Sequence, residues 1–310
     1  MKNIKRLLII ITFIGLAQSA LAQQEAMYSQ YMFNMLALNP AYAGSRNVVS
    51  ASLLYRNQWI NMEGAPRTAT FTIDAPVSNK NVGLGFQVFS DKIGITSTTG
   101  GFASYAYRIR FEKGTLSFGL QGGVGQYLAN FTGVQLNSGG SNDVAFSQNI
   151  NKLLINLGTG IYYNTDRFFL GVSSPQLLNN KLTDLNTQGN NTFAGQQLHV
   201  FVSSGYVFPL GSDMNFKPSI LLKGVKGAPI EADINATLWI NNVLALGAQY
   251  RTEASVAGLV ELQVSPQFKI GYSYDLSTTK LVRYNSGSHE ILLRYEFGFE
   301  KGKILSPRYF

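Results

Sequence analysis

Val48-Val49-Ser50-Ala51-Ser52-Leu53-Leu54-Tyr55-Arg56-Asn57-Gln58-Trp59 is a two-faced stretch. Its odd positions carry Val49, Ala51, Leu53, Tyr55 and Trp59. Its even positions carry Ser50, Ser52, Arg56 and Gln58, with Leu54 as the exception. An extended strand sends alternate side chains to opposite faces. One face is therefore apolar and ends in aromatics, and the other is polar and holds an arginine. In a soluble sandwich the arginine face meets water and the apolar face a core. In a membrane barrel the apolar face meets lipid and the arginine points into the lumen.

Composition favours the barrel. Only 14% of the 310 residues are charged, while there are 16 Tyr, 20 Phe and 31 Gly. Mean hydropathy is +0.02, and past the first 20 or so residues no apolar run approaches the roughly 18 residues that a spanning helix needs. The first residues read as an export signal at 1–22. Lys2, Lys5 and Arg6 precede the apolar stretch Leu7–Leu16, and Ala20-Leu21-Ala22 is a small-x-small cleavage site. Losing those three basic residues takes the formal charge from +8 to +5. An exported chain meets no nucleic acid, so the surplus reads as surface and lumen charge. The chain has no cysteine, which rules out disulfides and thiol sites. A closed hydrogen-bonded sheet then has to supply the stability.

The alternation recurs along the chain. It is seen in Arg67–Ala75, Val82–Ser90, Phe102–Phe111, Leu116–Gln126, Leu153–Tyr163 and Phe168–Ser173. It returns in Leu198–Phe208, Phe216–Leu222, Ile230–Ile240, Leu244–Tyr250, Val256–Val264, Phe268–Leu276 and Ile291–Phe299. The reading is an all-β transmembrane antiparallel β-barrel of about 14 strands, spanning 47–299. A periplasmic leader at 23–46 precedes it, and a periplasmic tail at 300–310 follows. The connections sort by length: alternate links are short, and the two longest loops, 128–151 and 175–197, fall together on the other side. Short periplasmic turns and long external loops are the barrel asymmetry. This puts the protein in the outer membrane with both termini periplasmic.

Within the leader, Met27, Tyr31, Met35 and Leu38 recur at helical spacing and predict one short helix ending before Pro40. It either packs on the barrel wall or mouth, or serves as a plug or partner-docking element. Nothing in the sequence looks catalytic, and no metal or cofactor is expected. His199 and His289 read as exposed or rim histidines, with a pairing of His199 to Ser203 or Ser204 as the hydrolase alternative. The glycine clusters Gly83-Leu84-Gly85, Gly122-Gly123 and Gly158-Thr159-Gly160 lie inside strands and lack the following helix of a phosphate loop. On an inner face they make room for an object in the lumen, or let the sheet bend. Inward charges of both signs form a candidate lumen network: Arg56, Asp74, Arg108, Arg110, Glu231, Asp233, Arg251 and Arg294. Lys223, Glu261, Lys269, Asp275 and Glu296 share the same face. They are either solvated lumen charges or ion pairs that tie an inward-folded segment to the wall. Arg56 is expected to pair with an inward carboxylate, Asp74 first, or to cap such a segment.

Several blocks in order resemble the PorP/SprF family of outer-membrane proteins of the type IX secretion and gliding apparatus. They are Gln30-Tyr31-Met32-Phe33-Asn34, Leu38-Asn39-Pro40-Ala41-Tyr42-Ala43-Gly44, Arg56-Asn57-Gln58-Trp59, Gly64-Ala65-Pro66, Asp74-Ala75-Pro76, Gly171-Val172-Ser173-Ser174-Pro175, Lys217-Pro218-Ser219, Asp233-Ile234-Asn235-Ala236, Tyr250-Arg251, His289-Glu290-Ile291 and the final Pro307-Arg308-Tyr309-Phe310. The resemblance implies a non-enzymatic role in secretion, surface attachment or display of large adhesins that carry a type IX C-terminal domain. It also implies periplasmic contact with secretion components, with Tyr31, Asn39, Pro40 and Tyr42 of the leader as candidate partner-facing residues. The alternative is a pore or transporter for small or apolar solutes.

Overall fold

The computed structural model describes residues 27–77, 81–132, 148–187 and 190–297. The signal at 1–22, the first leader residues 23–26, most of loop 128–151 and the tail at 300–310 lie outside the described residues. The first seven strands are β1 (Val49–Asn57), β2 (Arg67–Val77), β3 (Val82–Ile93), β4 (Thr96–Phe111), β5 (Gly114–Ala129), β6 (Ile150–Asn164) and β7 (Phe168–Ser174). A hairpin of β8 (Lys181–Thr187) and β9 (Asn190–Gly195) then stands apart as its own two-stranded sheet. The main sheet resumes with β10 (His199–Tyr206), β11 (Phe208–Leu210), β12 (Met214–Val225), β13 (Glu231–Ile240) and β14 (Leu244–Arg251). It ends with β15 (Ser255–Gln263), β16 (Phe268–Ser277) and β17 (Ser288–Phe297).

Each strand pairs antiparallel with its neighbours, β7 pairs with β10, and β1 pairs with β17, so the sheet closes on itself. β10 and β11 pair with β12 in one unbroken register, His199 to Val225 and Phe208 to Phe216. They are one stave interrupted at Val207, and the barrel has 14 staves. Closure leaves the main sheet without a free edge, which is what makes a strand-built wall tolerable in lipid.

The faces follow the alternation. On β1, Val49, Leu53 and Tyr55 are exposed, whereas Ser50, Ser52, Leu54 and Arg56 are buried. The same parity sets Phe71, Leu84, Tyr105, Leu120, Ile155 and Tyr250 outward, an apolar belt for lipid. Trp59 departs from the parity. β1 ends at Asn57, and Trp59 follows in a turn with a left-handed φ of 46°, so it does not cap the outer face of the strand. Strand β4 also starts earlier than its alternation predicts, at Thr96. Its first turns, Thr96 to Gly101, are polar or glycine yet stay paired to β3 and β5. Hydrogen bonding continues there after the apolar alternation has stopped.

One end of the barrel carries short turns, including Asn241-Asn242, where both residues take the positive φ of a tight hairpin. The other end carries the long connections, the β8–β9 hairpin and the segment 278–287.

The leader is the main departure from expectation. Residues 31–33, 35–37 and 40–42 form three separate 3-10 turns in place of one helix. Except for half-buried Ala37, Met27 to Arg46 are buried. They lie in the lumen, not on the periplasmic side of it. The segment enters beside Val49 at the short-turn end and reaches the long-loop end at Met27, which lines a cavity there with Trp59, Glu253 and Thr279.

Candidate functional site

The plugged lumen is the candidate site, and it is built strand by strand from inward parity. At the long-loop end, Arg56 lies opposite Glu290 across the closing β1–β17 pair. Its Nη1 donates to Glu290 Oε2 at 3.0 Å and to Ser29 Oγ at 2.8 Å. Its Nη2 meets Asp275 Oδ2 at 2.6 Å. Glu290 also accepts the backbone N–H groups of Ser29 and Gln30, at 3.0 and 2.7 Å. One buried arginine and two buried carboxylates thus hold the start of the leader by its main chain. Charges this deep persist only when paired and hydrogen-bonded.

Arg56 is therefore inward as expected, but its partner is not Asp74. The β1–β2 register sets Asp74 opposite Ser50, roughly 20 Å along the strand from Arg56. Asp74 instead accepts the Gly44 N–H at 2.8 Å near the short-turn end. There Arg108 donates to the carbonyl oxygens of Gly44 and Ser45 and to Asn47 Oδ1. Arg46 joins Glu296 at 2.6 Å. Burial works against the Arg46 charge, but the Glu296 carboxylate more than offsets it and holds the guanidinium above the usual arginine pKa.

A third anchor lies on β13 and β14. Arg251 forks onto Asp233 at 2.7 and 2.8 Å, donates to the Tyr28 carbonyl, and lies 3.6 Å from Glu231. Asn235 donates to the Tyr31 hydroxyl at 2.8 Å. Below it, Phe33 meets Trp239 edge-on at 6.5 Å, with Lys217 5.6 Å from the Phe33 ring and Lys269 4.9 Å from the Trp239 ring. Arg294 stays on the wall and donates to Ser52. Arg110 is exposed at the short-turn end of β4.

The stretch Asn39-Pro40-Ala41-Tyr42-Ala43-Gly44 fits the wall residue by residue. Asn39 caps the last turn by accepting the Ala41 N–H, and its amide donates to the Ile161 carbonyl on β6. Pro40 starts the turn, where its missing N–H costs nothing. Tyr42 packs edge-on against Tyr162 at 5.4 Å. The inner-face glycines make this contact possible. A Cβ on Gly83 would overlap the Ala43 carbonyl, and one on Gly119 would overlap the Ala41 amide. Tyr31, Asn39, Pro40 and Tyr42, expected to face partners, are thus buried against the barrel's own wall.

The histidines divide. His289 lies on the outer face, its Nδ1 2.6 Å from the Tyr272 hydroxyl. His199 stands at the long-loop rim, where it opens β10 opposite Val225, but it is buried and not exposed, with Nδ1 2.8 Å from the Gln197 carbonyl. It does not pair with Ser203 or Ser204, which stand roughly 13 Å or more along the same strand. Among the described residues no cluster of three metal-ligating side chains occurs. Sequence reasoning did not place Ser29, Arg46, Lys217 or Glu290 in the lumen network. Glu290 was within reach, because the inward parity of Leu292, Arg294 and Glu296 extends back to it. Ser29 and Arg46 lie in the leader, where no strand parity applies.

A family model described as type IX secretion system membrane protein PorP/SprF matches residues 20–295. No curated protein matches the sequence. Among solved structures, the chain is similar to a FadL homologue of Pseudomonas aeruginosa. Identity is 12%, coverage 86% of this chain and 94% of that one, and the TM-score 0.50. It is also similar to the toluene transporter TbuX of Ralstonia pickettii, at 10% identity, 88% and 94% coverage and a TM-score of 0.51. At such identities the likeness is one of fold.

Proposed function

Because this chain belongs to the PorP/SprF family of type IX secretion system membrane proteins, we propose that it is a non-enzymatic barrel that supports secretion, surface attachment or display of type IX cargo such as large adhesins. The observation that carries this reading is the plugged lumen. Three polar clusters and a run of buried aromatics hold the leader in place. A wall built to grip a plug serves a docking scaffold better than a solute channel. The short-turn end faces the periplasm and its secretion components, and the long-loop end faces the medium. There the connections at 128–151 and 175–197 meet cargo, since loops on a rigid scaffold carry recognition.

The test is to isolate the tagged protein from outer membranes and identify what accompanies it. Secreted proteins with a type IX C-terminal domain and secretion components are expected. Their absence, together with an unchanged surface and medium proteome after gene deletion, would overturn the proposal. The second reading is a transporter for small or apolar solutes, favoured by the cavities at the long-loop end. It requires conductance or solute uptake with the leader in place.

A further inference from the structure

The leader does not fill the lumen to the long-loop end. Beside Tyr28 a cavity of about 430 Å³ opens along β3 to β6 and β10. Ile93, Thr96 and Tyr127 stand at its outer rim, and Ala37 and Leu38 of the leader close its inner end with Pro175. It is a blind cup, and cargo docking on the loops does not account for its chemistry.

Three features define what it would hold. Flat apolar faces come first. The Phe89 and Phe102 rings stack 5.8 Å apart at 12°, and further round the wall His199 and Phe201 lie 6.2 Å apart at 14°. Next come amides: Gln87, Gln121, Gln176, Gln196 and Gln197 all line the cup. Gln121 donates to the Pro175 carbonyl, but the buried Gln176 Oε1 has no partner. Last is His199 itself, only 1% exposed. Its Nδ1 faces a carbonyl oxygen and so carries the proton. Nε2 is then an acceptor, buried in the lining of the cup, without a partner. Such groups are rarely left unpaired without a reason.

The lining discriminates among occupants. Among the described residues the one charged side chain that lines the cup is the Asp91 carboxylate, which accepts from Thr68 at 2.6 Å, so an anion meets like charge and no lysine or arginine of the lining. A hydrocarbon would leave His199 Nε2 and Gln176 Oε1 unpaired. An extended peptide running through would need an exit that the leader closes. We propose that the cup binds a neutral saccharide unit. A ring face lies on the Phe89–Phe102 pair, and hydroxyls donate to His199 Nε2 and Gln176 Oε1 and pair with the neighbouring amides.

The full-length protein, purified in a detergent without sugar such as lauryldimethylamine oxide, is titrated with cellobiose, maltose and lactose by saturation-transfer NMR. Sialyllactose, toluene and a neutral glutamine-rich peptide serve as comparators. At least one neutral disaccharide should bind with a Kd of about 1 mM or tighter. His199→Phe and Phe89→Ala, each checked for an intact barrel by heat-modifiable gel mobility, should each weaken it roughly tenfold. Glu253→Gln, in the neighbouring cavity, should leave it unchanged. The proposal is overturned if no neutral disaccharide binds, if both variants bind as well as the parent, or if only a comparator binds.

Discussion

Replacing Arg56 by alanine should destabilise the barrel more than any other single substitution on the inner face of β1. The guanidinium contacts Ser29, Asp275 and Glu290 at 2.6–3.0 Å, and all three partners are buried. Removing it leaves two carboxylates facing each other with no cation in direct contact, Arg251 acting on Asp275 only from further off. Breaking a buried pair in this way costs about 3–5 kcal/mol. Glu290 keeps the Ser29 and Gln30 amides, and Asp275 keeps the Ser29 hydroxyl, so the loss belongs near ~3 kcal/mol. The assay is urea unfolding in lipid vesicles, followed by the emission of Trp59 and Trp239. The triple variant Arg56→Ala, Asp275→Asn, Glu290→Gln should recover much of the loss, since it leaves no uncompensated charge. A loss below about 1 kcal/mol for the single variant, or a triple variant no more stable than the single one, would refute the reasoning.

Deleting residues 27–46 should open the barrel, with steady single-channel conductance in planar bilayers where the parent shows little; equal conductance from both would mean that the leader is no plug. Gly119→Val and Gly83→Val should each dislodge the leader, because their Cβ atoms would occupy the positions of the Ala41 amide and the Ala43 carbonyl. The readout is protease cleavage after Ser45–Arg46, which is expected to rise sharply in both and not in Gly258→Val, whose surroundings are open. The chain has no cysteine, so single cysteines report orientation cleanly. Glu253→Cys should react with a membrane-impermeant maleimide on intact cells and Lys113→Cys should not; the reverse pattern would invert the barrel.

Much of this was legible because it is local. Alternation at Val49–Arg56, Tyr105–Arg108 or Ile291–Glu296 depends only on neighbours in the chain, and it fixed strands, faces and inward charges together. Asp74 against Arg56 failed for a different reason. Parity places both in the lumen, but their height is set by the β1–β2 register and by closure onto β17, and both pair residues far apart in sequence. The leader failed for a third reason. Helical spacing assumes one buried stripe, whereas a wall on all sides buries the segment all round. The wall also takes over its backbone: the amides of Ser29, Gln30 and Gly44 bond Glu290 and Asp74. Asn34 breaks the run: its backbone is not helical, with φ −136° and ψ 57°, and its side chain accepts from Thr72 on β2.

The sequence by itself determined an all-β barrel with Val49, Leu53 and Tyr55 outside and Arg56 inside, because lipid and lumen impose a two-residue period on every strand. Only the tertiary structure decided that Arg56 grips Ser29 through Glu290 and Asp275, and that the leader is a plug running to the long-loop mouth. Those contacts join the leader to β17 and β16, more than 200 positions away in sequence, and no local pattern encodes which distant strand a buried amide will meet.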